Sequence, residues 1–171
     1  MKRRNWLVLC AALAAGCANY GAGLIPGQSV VEDVKAAMGE PALVRVLPDG
    51  DQILWYPKLP YGRESWAARI DPDGTLVSFE QRLVPQFISR IKPNRSTAGE
   101  VLDTLGPPYR RFKHPFKDRE SWEYPLWPAP EPRTLYVDFS PDNVVREVYE
   151  LYDRDTRRGF LFGFGGFSVG R

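Results

Sequence analysis

The chain has 171 residues and a formal net charge of +2, from 23 Lys and Arg against 21 Asp and Glu. Three of the cations are Lys2, Arg3 and Arg4; without them 20 cations face 21 acids, a balance of −1, so the composition gives no support for a nucleic-acid partner. The two cysteines, Cys10 and Cys17, both lie near the N-terminus, which excludes a disulfide, a thiol nucleophile or a cysteine metal site from the rest of the chain.

The first segment has the pattern of a bacterial lipoprotein signal. The cations at residues 2–4 precede an apolar stretch, residues 6–15, that is too short to span a bilayer. The run Leu-Ala-Ala-Gly-Cys that ends at Cys17 resembles a lipobox, in which small residues let the peptidase take the backbone in a narrow cleft. We therefore predict a lipoprotein signal peptide at residues 1–16 and a lipidated tether at residues 17–26. An ordinary secretory signal, cleaved after a small-x-small site, is the alternative.

Lipidation of Cys17 would also determine where the protein resides. The resemblance to lipoproteins implies a mature chain that begins at Cys17 and carries three acyl chains, palmitate among them, and such a set anchors stably because one myristoyl chain already gives marginal binding. Position 18 is Ala rather than the Asp that retains enteric lipoproteins in the inner membrane. We therefore expect an anchor in the outer membrane, on its periplasmic side.

Two segments of the remaining chain match each other at a nearly constant offset of 67 residues. The Pro-Asp-Gly turn at residues 72–74 corresponds to Pro-Asp-Asn at residues 141–143, an offset of 69 after small insertions. This agreement predicts a duplication, with one repeat at residues 27–84 and the other at residues 85–153. The matched pairs are Ser29 with Ser96, Val34 with Val101, Gly39 with Gly106, Pro41 with Pro108 and Trp55 with Trp122.

Each repeat begins with the signals of a helix and continues with those of strands. Capping boxes are predicted at Ser29-x-x-Glu32 and Thr97-x-x-Glu100, and the helices are expected to end at Gly39 and Gly106. A short helix is expected near residues 85–91. Alternation and turn residues predict eight strands, at residues 43–47, 52–56, 65–70, 76–83, 109–113, 120–124, 134–139 and 144–152.

These elements predict an α+β fold. It consists of two tandem units, each a helix followed by an antiparallel meander, with the helices packed on one face of the sheet or sheets. No apolar run after the signal approaches the roughly 20 residues that a membrane-spanning helix needs.

The motif Gly-x-Ser-x-x-x-Asp-Val-x-x-x-Met-Gly-x-Pro at residues 27–41, with Trp-Tyr at residues 55–56, resembles the SmpA/OmlA (BamE-like) family of outer-membrane lipoproteins. The second copy, at residues 96–108 and 122–124, matches as well. Tandem-repeat proteins similar to the β-lactamase inhibitor protein are broader relatives. The resemblance implies the fold and a role in outer-membrane protein assembly or envelope integrity, although this chain has two units where BamE has one.

The inventory of chemically active residues argues against an enzyme. His114 is the single histidine, and it is interpreted as a solvated loop residue, with a binding contact as the alternative. Asp71, Asp73 and Asp142 occupy turn positions, where carboxylates bond backbone amides, so no metal site is predicted. No phosphate-binding loop is present in the sequence. We expect no cofactor and no small-molecule substrate.

Aromatic residues are numerous in this chain and say more about its function than the catalytic residue types do. Because side chains alternate along a strand, those on and beside the strands cannot all face the helices, and some are expected on an open sheet face. Trp66, Trp127, Tyr124 and Tyr136 are the candidates for a protein-binding surface, with core packing as the alternative. Trp55 and Trp122 are assigned to the core because both units keep them.

A tail rich in Phe and Gly follows the second repeat, at residues 154–171. A disordered end is predicted, because glycine costs entropy to order; since its Phe residues recur at period two, addition as an edge strand to a partner or contact with the membrane interface is the alternative.

The whole pattern predicts a non-catalytic outer-membrane lipoprotein that binds another envelope protein. The alternative is a lipid-anchored inhibitor of a periplasmic or foreign hydrolase, and an enzyme or small-ligand carrier is the third hypothesis.

Overall fold

A computed structural model describes residues 20–127 and 131–152, and within them the fold is α+β, as predicted. The predicted signal peptide with Cys17, and the predicted tail at residues 154–171, lie outside the described residues. The helices are α1 (Val31–Met38), α2 (Pro85–Ile88) and α3 (Ala98–Leu105). The strands are β1 (Leu43–Val46), β2 (Gln52–Pro57), β3 (Ser65–Ile70), β4 (Leu76–Gln81), β5 (Arg110–Lys113), β6 (Glu120–Leu126), β7 (Arg133–Phe139) and β8 (Val145–Tyr152).

The strands form two separate four-stranded antiparallel sheets, in the orders β1-β2-β3-β4 and β5-β6-β7-β8. All eight predicted strands are present, with ends within two residues of those expected. In both sheets the register shifts in the last strand pair, between Arg69 and Ile70 in β3 and between Asp138 and Phe139 in β7. Such a bulge bends the strand and increases its twist.

The start of α3 confirms one predicted capping box and the start of α1 contradicts the other. Thr97 Oγ1 accepts a hydrogen bond from the backbone N–H of Glu100, whose carboxylate accepts one from the N–H of Thr97. At α1 the carboxylate of Asp33 accepts a hydrogen bond from the N–H of Val30, so the helix begins one residue later than predicted. Ser29 Oγ instead accepts a hydrogen bond from the N–H of Ile25 and closes the preceding turn.

The first sheet packs one face against α1. Val34, at the centre of the buried side of α1, is fully buried among side chains of β2, β3 and β4. The buried partners on this face are Leu54, Tyr56, Ala68, Ile70 and Leu76. Each Val, Leu or Ile side chain of this set contributes about 1.5–3 kcal/mol when it is fully removed from water.

Helix α3 lies between the two sheets. Its residues Val101 and Leu105 are fully buried in the core of the second sheet. On another side of the helix, Asp103 accepts a bidentate ion pair from Arg45 of β1, with Nε to Oδ1 at 2.7 Å and Nη2 to Oδ2 at 3.2 Å. Gly106, which ends α3, lies against the ring of Trp55 in β2. The helix therefore belongs to two interfaces, one with each sheet.

The predicted correspondence of Trp55 with Trp122 is wrong. Both side chains are buried, as expected, but Trp122 packs with Val101 and Leu105 of the helix that precedes its own sheet. Trp55 lies on the face of the first sheet that points away from α1, in a cluster with Ile53 and Ala67. Because neighbouring residues of a strand point to opposite faces, a one-residue error in alignment exchanges the two faces.

Residues 20–26 of the predicted tether pack against the first sheet. Tyr20 and Leu24 are half-buried against the cluster around Val34, and the N–H of Gly27 donates to the carbonyl of Leu76 at 2.8 Å. Residues 20–26 therefore belong to the folded domain and not to a free tether.

Candidate functional site

The second sheet presents one face to α3 and the other outward, and we call the outward one the outer face. Four cross-strand neighbours form a row across it, one from each strand: Arg110, Glu123, Tyr136 and Tyr149. A second row consists of Phe112, Ser121, Asp138 and Glu147. Arg110 keeps 64% of its side chain exposed, and Phe112 at the edge is exposed as well. This face combines exposed aromatic rings with exposed charges.

An ion pair defines the edge of the first row. Arg110 donates from Nε to Oε2 of Glu123 at 2.7 Å and from Nη2 to Oε1 at 3.1 Å, which is the bidentate geometry that orients a guanidinium most strongly. The hydrogen bonds to Glu123 raise the pKa of Arg110 above its ordinary value. Glu123 is buried beneath this guanidinium, whereas Arg110 is mostly exposed, so the pair presents a fixed cation to solvent.

Two stacked rings continue the same row. Tyr136 and Tyr149 are cross-strand neighbours whose centroids lie 5.4 Å apart with an interplanar angle of 13°. Both rings are half-buried, and burial, followed by the charge of Asp138, raises the pKa of Tyr149. A stacked pair holds its rings in one orientation. The two tyrosine side chains therefore lose little conformational entropy when a partner covers them.

Beside this row, His114, Ser121 and Asp138 form a hydrogen-bonded network. The hydroxyl of Ser121 donates to Asp138, so His114 Nε2, 2.7 Å from Ser121 Oγ, is assigned as the donor to that oxygen. His114 Nε2 is 3.9 Å from the second carboxylate oxygen of Asp138. His114 lies in the β5–β6 hairpin loop, as predicted, but it is not solvated, since it is half-buried and hydrogen-bonded.

The network does not have the geometry of an activated nucleophile. A nucleophilic serine needs an accessible hydroxyl whose proton passes to a histidine that a third group orients. Here Ser121 is fully buried and directs its proton to Asp138, and the same histidine nitrogen faces both partners. The arrangement gives a buried carboxylate a hydrogen-bond donor and fixes the position of the imidazole.

A cavity of about 310 Å³ opens next to His114, between the β5–β6 hairpin and the turn that follows β7. Its walls carry Lys113, Lys117 and Arg119 together with the acids Asp118 and Glu120, so the charges nearly balance. Among residues 20–127 and 131–152, no group of three or more His, Cys, Asp or Glu side chains is placed to hold a metal ion.

The four aromatic residues predicted for a binding surface lie in different environments. Tyr136 lies on the outer face and Trp127, 71% exposed, lies at the end of β6. Trp66 is half-buried against Phe79, with a centroid distance of 5.0 Å. Tyr124 is corrected to a core residue: it is fully buried, and its hydroxyl donates to the carbonyl of Gly106 at 3.0 Å. The four rings do not form one surface.

Sequence reasoning missed Arg110 and Tyr149 as members of the site. Their signal is present, because alternation along β8 puts Tyr149 on the same face as Glu147 and Leu151. The register that joins Tyr149 to Tyr136 is a property of the folded sheet, so the stacked pair becomes visible only in three dimensions.

The corresponding row of the first sheet has a different composition. It consists of Leu43, Trp55, Ala67 and Glu80, and its centre is fully buried. Gly106 of α3 covers Trp55 at that centre. The centre of the row in the first sheet is therefore apolar and fully buried, whereas the row in the second sheet carries an exposed cation and two half-buried tyrosines.

No protein-family model and no curated protein sequence matches this chain. A similar solved structure is that of a DUF4309 family protein, YjgB, from Bacillus subtilis subsp. subtilis strain 168. The two chains are 20% identical over 79% of this chain and 86% of the other, with a TM-score of 0.31. In the part of the chain that the structure describes, no helix has the length and apolar character needed to cross a membrane.

Proposed function

We propose that this protein is a non-catalytic outer-membrane lipoprotein, held on the periplasmic side through acylated Cys17, that binds another envelope protein. The observation that carries the proposal is the row of Arg110, Glu123, Tyr136 and Tyr149 on the outer face of the second sheet, in which the Arg110 side chain is 64% exposed and both tyrosine rings are half-buried. Tyrosine and arginine are the side chains most enriched at the energetic centres of protein interfaces. A role in outer-membrane protein assembly or envelope integrity is part of this proposal.

The proposed architecture is a tandem of two helix-then-meander units of the SmpA/OmlA (BamE-like) kind, at residues 27–84 and 85–153. Three correspondences support it. Both α1 and α3 end at a glycine with a nearly identical backbone, φ 81° and ψ −166° at Gly39 and φ 82° and ψ −168° at Gly106. Both sheets carry a register shift in their last strand pair. Isolated bridges join Val30 to Thr75 and Thr97 to Val144, offsets of 67 and 69 residues.

Partner binding is tested by crosslinking the native protein in membranes and identifying what is recovered. Tyr149→Ala removes one ring of the stacked pair, and truncation of an interface centre costs about 2 kcal/mol or more, which is roughly a 30-fold loss of affinity. Phe116→Ala is the matched control, because Phe116 is 97% exposed on the β5–β6 hairpin and lies outside both rows of the outer face.

Recovery that falls with Tyr149→Ala and persists with Phe116→Ala supports the proposal. Recovery of barrel-assembly components would support the role in outer-membrane assembly. Capture of a single hydrolase would instead identify the alternative, a lipid-anchored inhibitor. No protein partner at all would contradict both functions.

The anchor is tested with two cysteine variants. Cys17→Ala is expected to abolish incorporation of labelled palmitate and to release the protein from the membrane fraction, because the sulfur is the proposed acylation site. Cys10→Ala removes the other cysteine and is expected to keep the label. Label that persists in Cys17→Ala, or disappears in Cys10→Ala alone, would contradict the assignment.

A further inference from the structure

Tyr20, the first residue that the structure describes, already packs against the folded domain. The ring of Tyr20 lies 5.9 Å from that of Trp66, and the ammonium of Lys58 lies 3.6 Å from the centroid of Tyr20. Gly21 follows with φ +74°, and a Cβ at this position would come within 2.2 Å of the ring of Phe79. This close approach holds the chain against the first sheet immediately after Tyr20.

Little chain separates this attachment from the proposed anchor. From Cys17 to Tyr20 there are three Cα–Cα steps, which span at most about 11 Å when fully extended. The polar headgroup layer of one leaflet is itself roughly 5–8 Å thick. An acylated Cys17 in that layer would therefore keep Tyr20 within a few ångströms of the lipid surface.

The neighbourhood of Tyr20 carries two exposed aromatic rings. Lys58 begins the loop between β2 and β3, and Tyr61 in that loop is 95% exposed. Arg63, in the same loop, donates from Nη1 to the carbonyl oxygens of Leu126 and Arg133 at 3.2 and 3.3 Å. This contact places the loop beside Trp127, whose ring centroid is 5.9 Å from the guanidinium carbon of Arg63.

We infer that the end of the molecule formed by Tyr20, Lys58, Tyr61 and Trp127 lies against the phospholipid surface and orients the domain there. This inference rests on the proposed lipid anchor at Cys17. Tryptophan and tyrosine favour the membrane interface because their rings have an apolar body and a polar tip, and a lysine stem can lie along apolar surface while its ammonium stays in water. A phospholipid surface is favoured over a protein partner for Trp127 because the short chain from Cys17 leaves this end next to the bilayer.

The test measures tryptophan fluorescence of the acylated protein in vesicles of phosphatidylethanolamine and phosphatidylglycerol. A phosphatidylcholine that carries a nitroxide near its glycerol end is added as a shallow quencher. Trp127→Phe isolates the contribution of Trp127 from those of Trp55, Trp66 and Trp122. In that background Phe116→Trp places a ring at the other end of β6, about 20 Å away along the strand.

The nitroxide is expected to remove most of the fluorescence that Trp127 contributes and to leave that of the ring introduced by Phe116→Trp. Equal quenching at both positions, or none at Trp127 while the protein floats with the vesicles, would overturn the inference and leave the anchor intact. Protein that fails to float with the vesicles would overturn both. If Trp127 is shielded from water only after a partner protein is added, its ring belongs to a protein interface, and the inference is overturned.

Discussion

Gly106→Ala is expected to destabilise the protein far more than Gly39→Ala, although both glycines end a helix with the same backbone geometry. Both have φ near +82°, which costs an alanine about 1–3 kcal/mol in strain. At Gly39 nothing lies within 4 Å of the added Cβ, so strain is the whole cost. At Gly106 the Cβ would lie 2.4 Å from Trp55 Cε3 and 2.8 Å from Ser65 Oγ, and such overpacking costs typically a further 1–3 kcal/mol.

Urea unfolding of the two variants checks this expectation. The free energy of unfolding in water and the slope m are compared with those of the parent protein, and an unchanged m means that only stability has changed. Equal losses for Gly39→Ala and Gly106→Ala would contradict the close contact between α3 and the first sheet. A larger loss for Gly39→Ala would contradict it more directly.

The contact at Gly106 shows what local sequence patterns do not reveal. Both helix-ending glycines were predicted, because a left-handed residue without a Cβ is favoured after the last turn. The second requirement at Gly106, close approach of a tryptophan from the other sheet, comes from a contact between residues 51 positions apart. The same holds for the ion pair between Arg45 and Asp103, since no periodic pattern links a strand to a helix 58 residues away.

The positions of the strands were more predictable than the sheet face on which each side chain lies. Alternation and turn residues gave all eight strands, since a half-buried strand must alternate and a hairpin needs turn residues of particular geometry. The face on which an aromatic residue lies depends on register within one residue; Trp55 is buried as predicted, but its pairing with Trp122 failed for this reason. Tyr124 was misassigned although alternation puts it on the same face as Trp122, which had been assigned to the core.

The sequence predicted that the candidate site would contain aromatic residues, but not which residues would lie side by side in it. A surplus of aromatic residues on strands indicated that some rings would remain exposed, and Tyr136 is one that lies on the outer face. Its partner Tyr149 and the orienting pair Arg110 and Glu123 depend on cross-strand neighbours, which a single sequence does not reveal. Aromatic residues that look alike in the sequence therefore lie in three places: in the core, on the outer face, and at the end of the molecule near Tyr20.

Trp55→Ala is expected to cost about 3–5 kcal/mol of unfolding free energy, the usual range for removing a fully buried large aromatic side chain. Trp127→Ala is the matched control. Because Trp127 is 71% exposed, its loss is expected to stay within about 0.5 kcal/mol in solution. A comparable loss for both variants would contradict the burial of Trp55 between the first sheet and α3.

The contact between Trp55 and Gly106 also predicts that their substitutions are not additive. Trp55→Leu removes the ring atoms that the alanine Cβ would meet, so in that background Gly106→Ala should cost less than in the parent protein, and only the backbone strain and the contact with Ser65 Oγ at 2.8 Å should remain. A double-mutant cycle with Trp55→Leu, Gly106→Ala and both together, followed by urea unfolding, measures the difference. Residues in direct contact show interaction energies of about 0.5–3 kcal/mol, whereas independent sites add within about 0.5 kcal/mol. Additive losses would contradict the direct contact between Trp55 and Gly106.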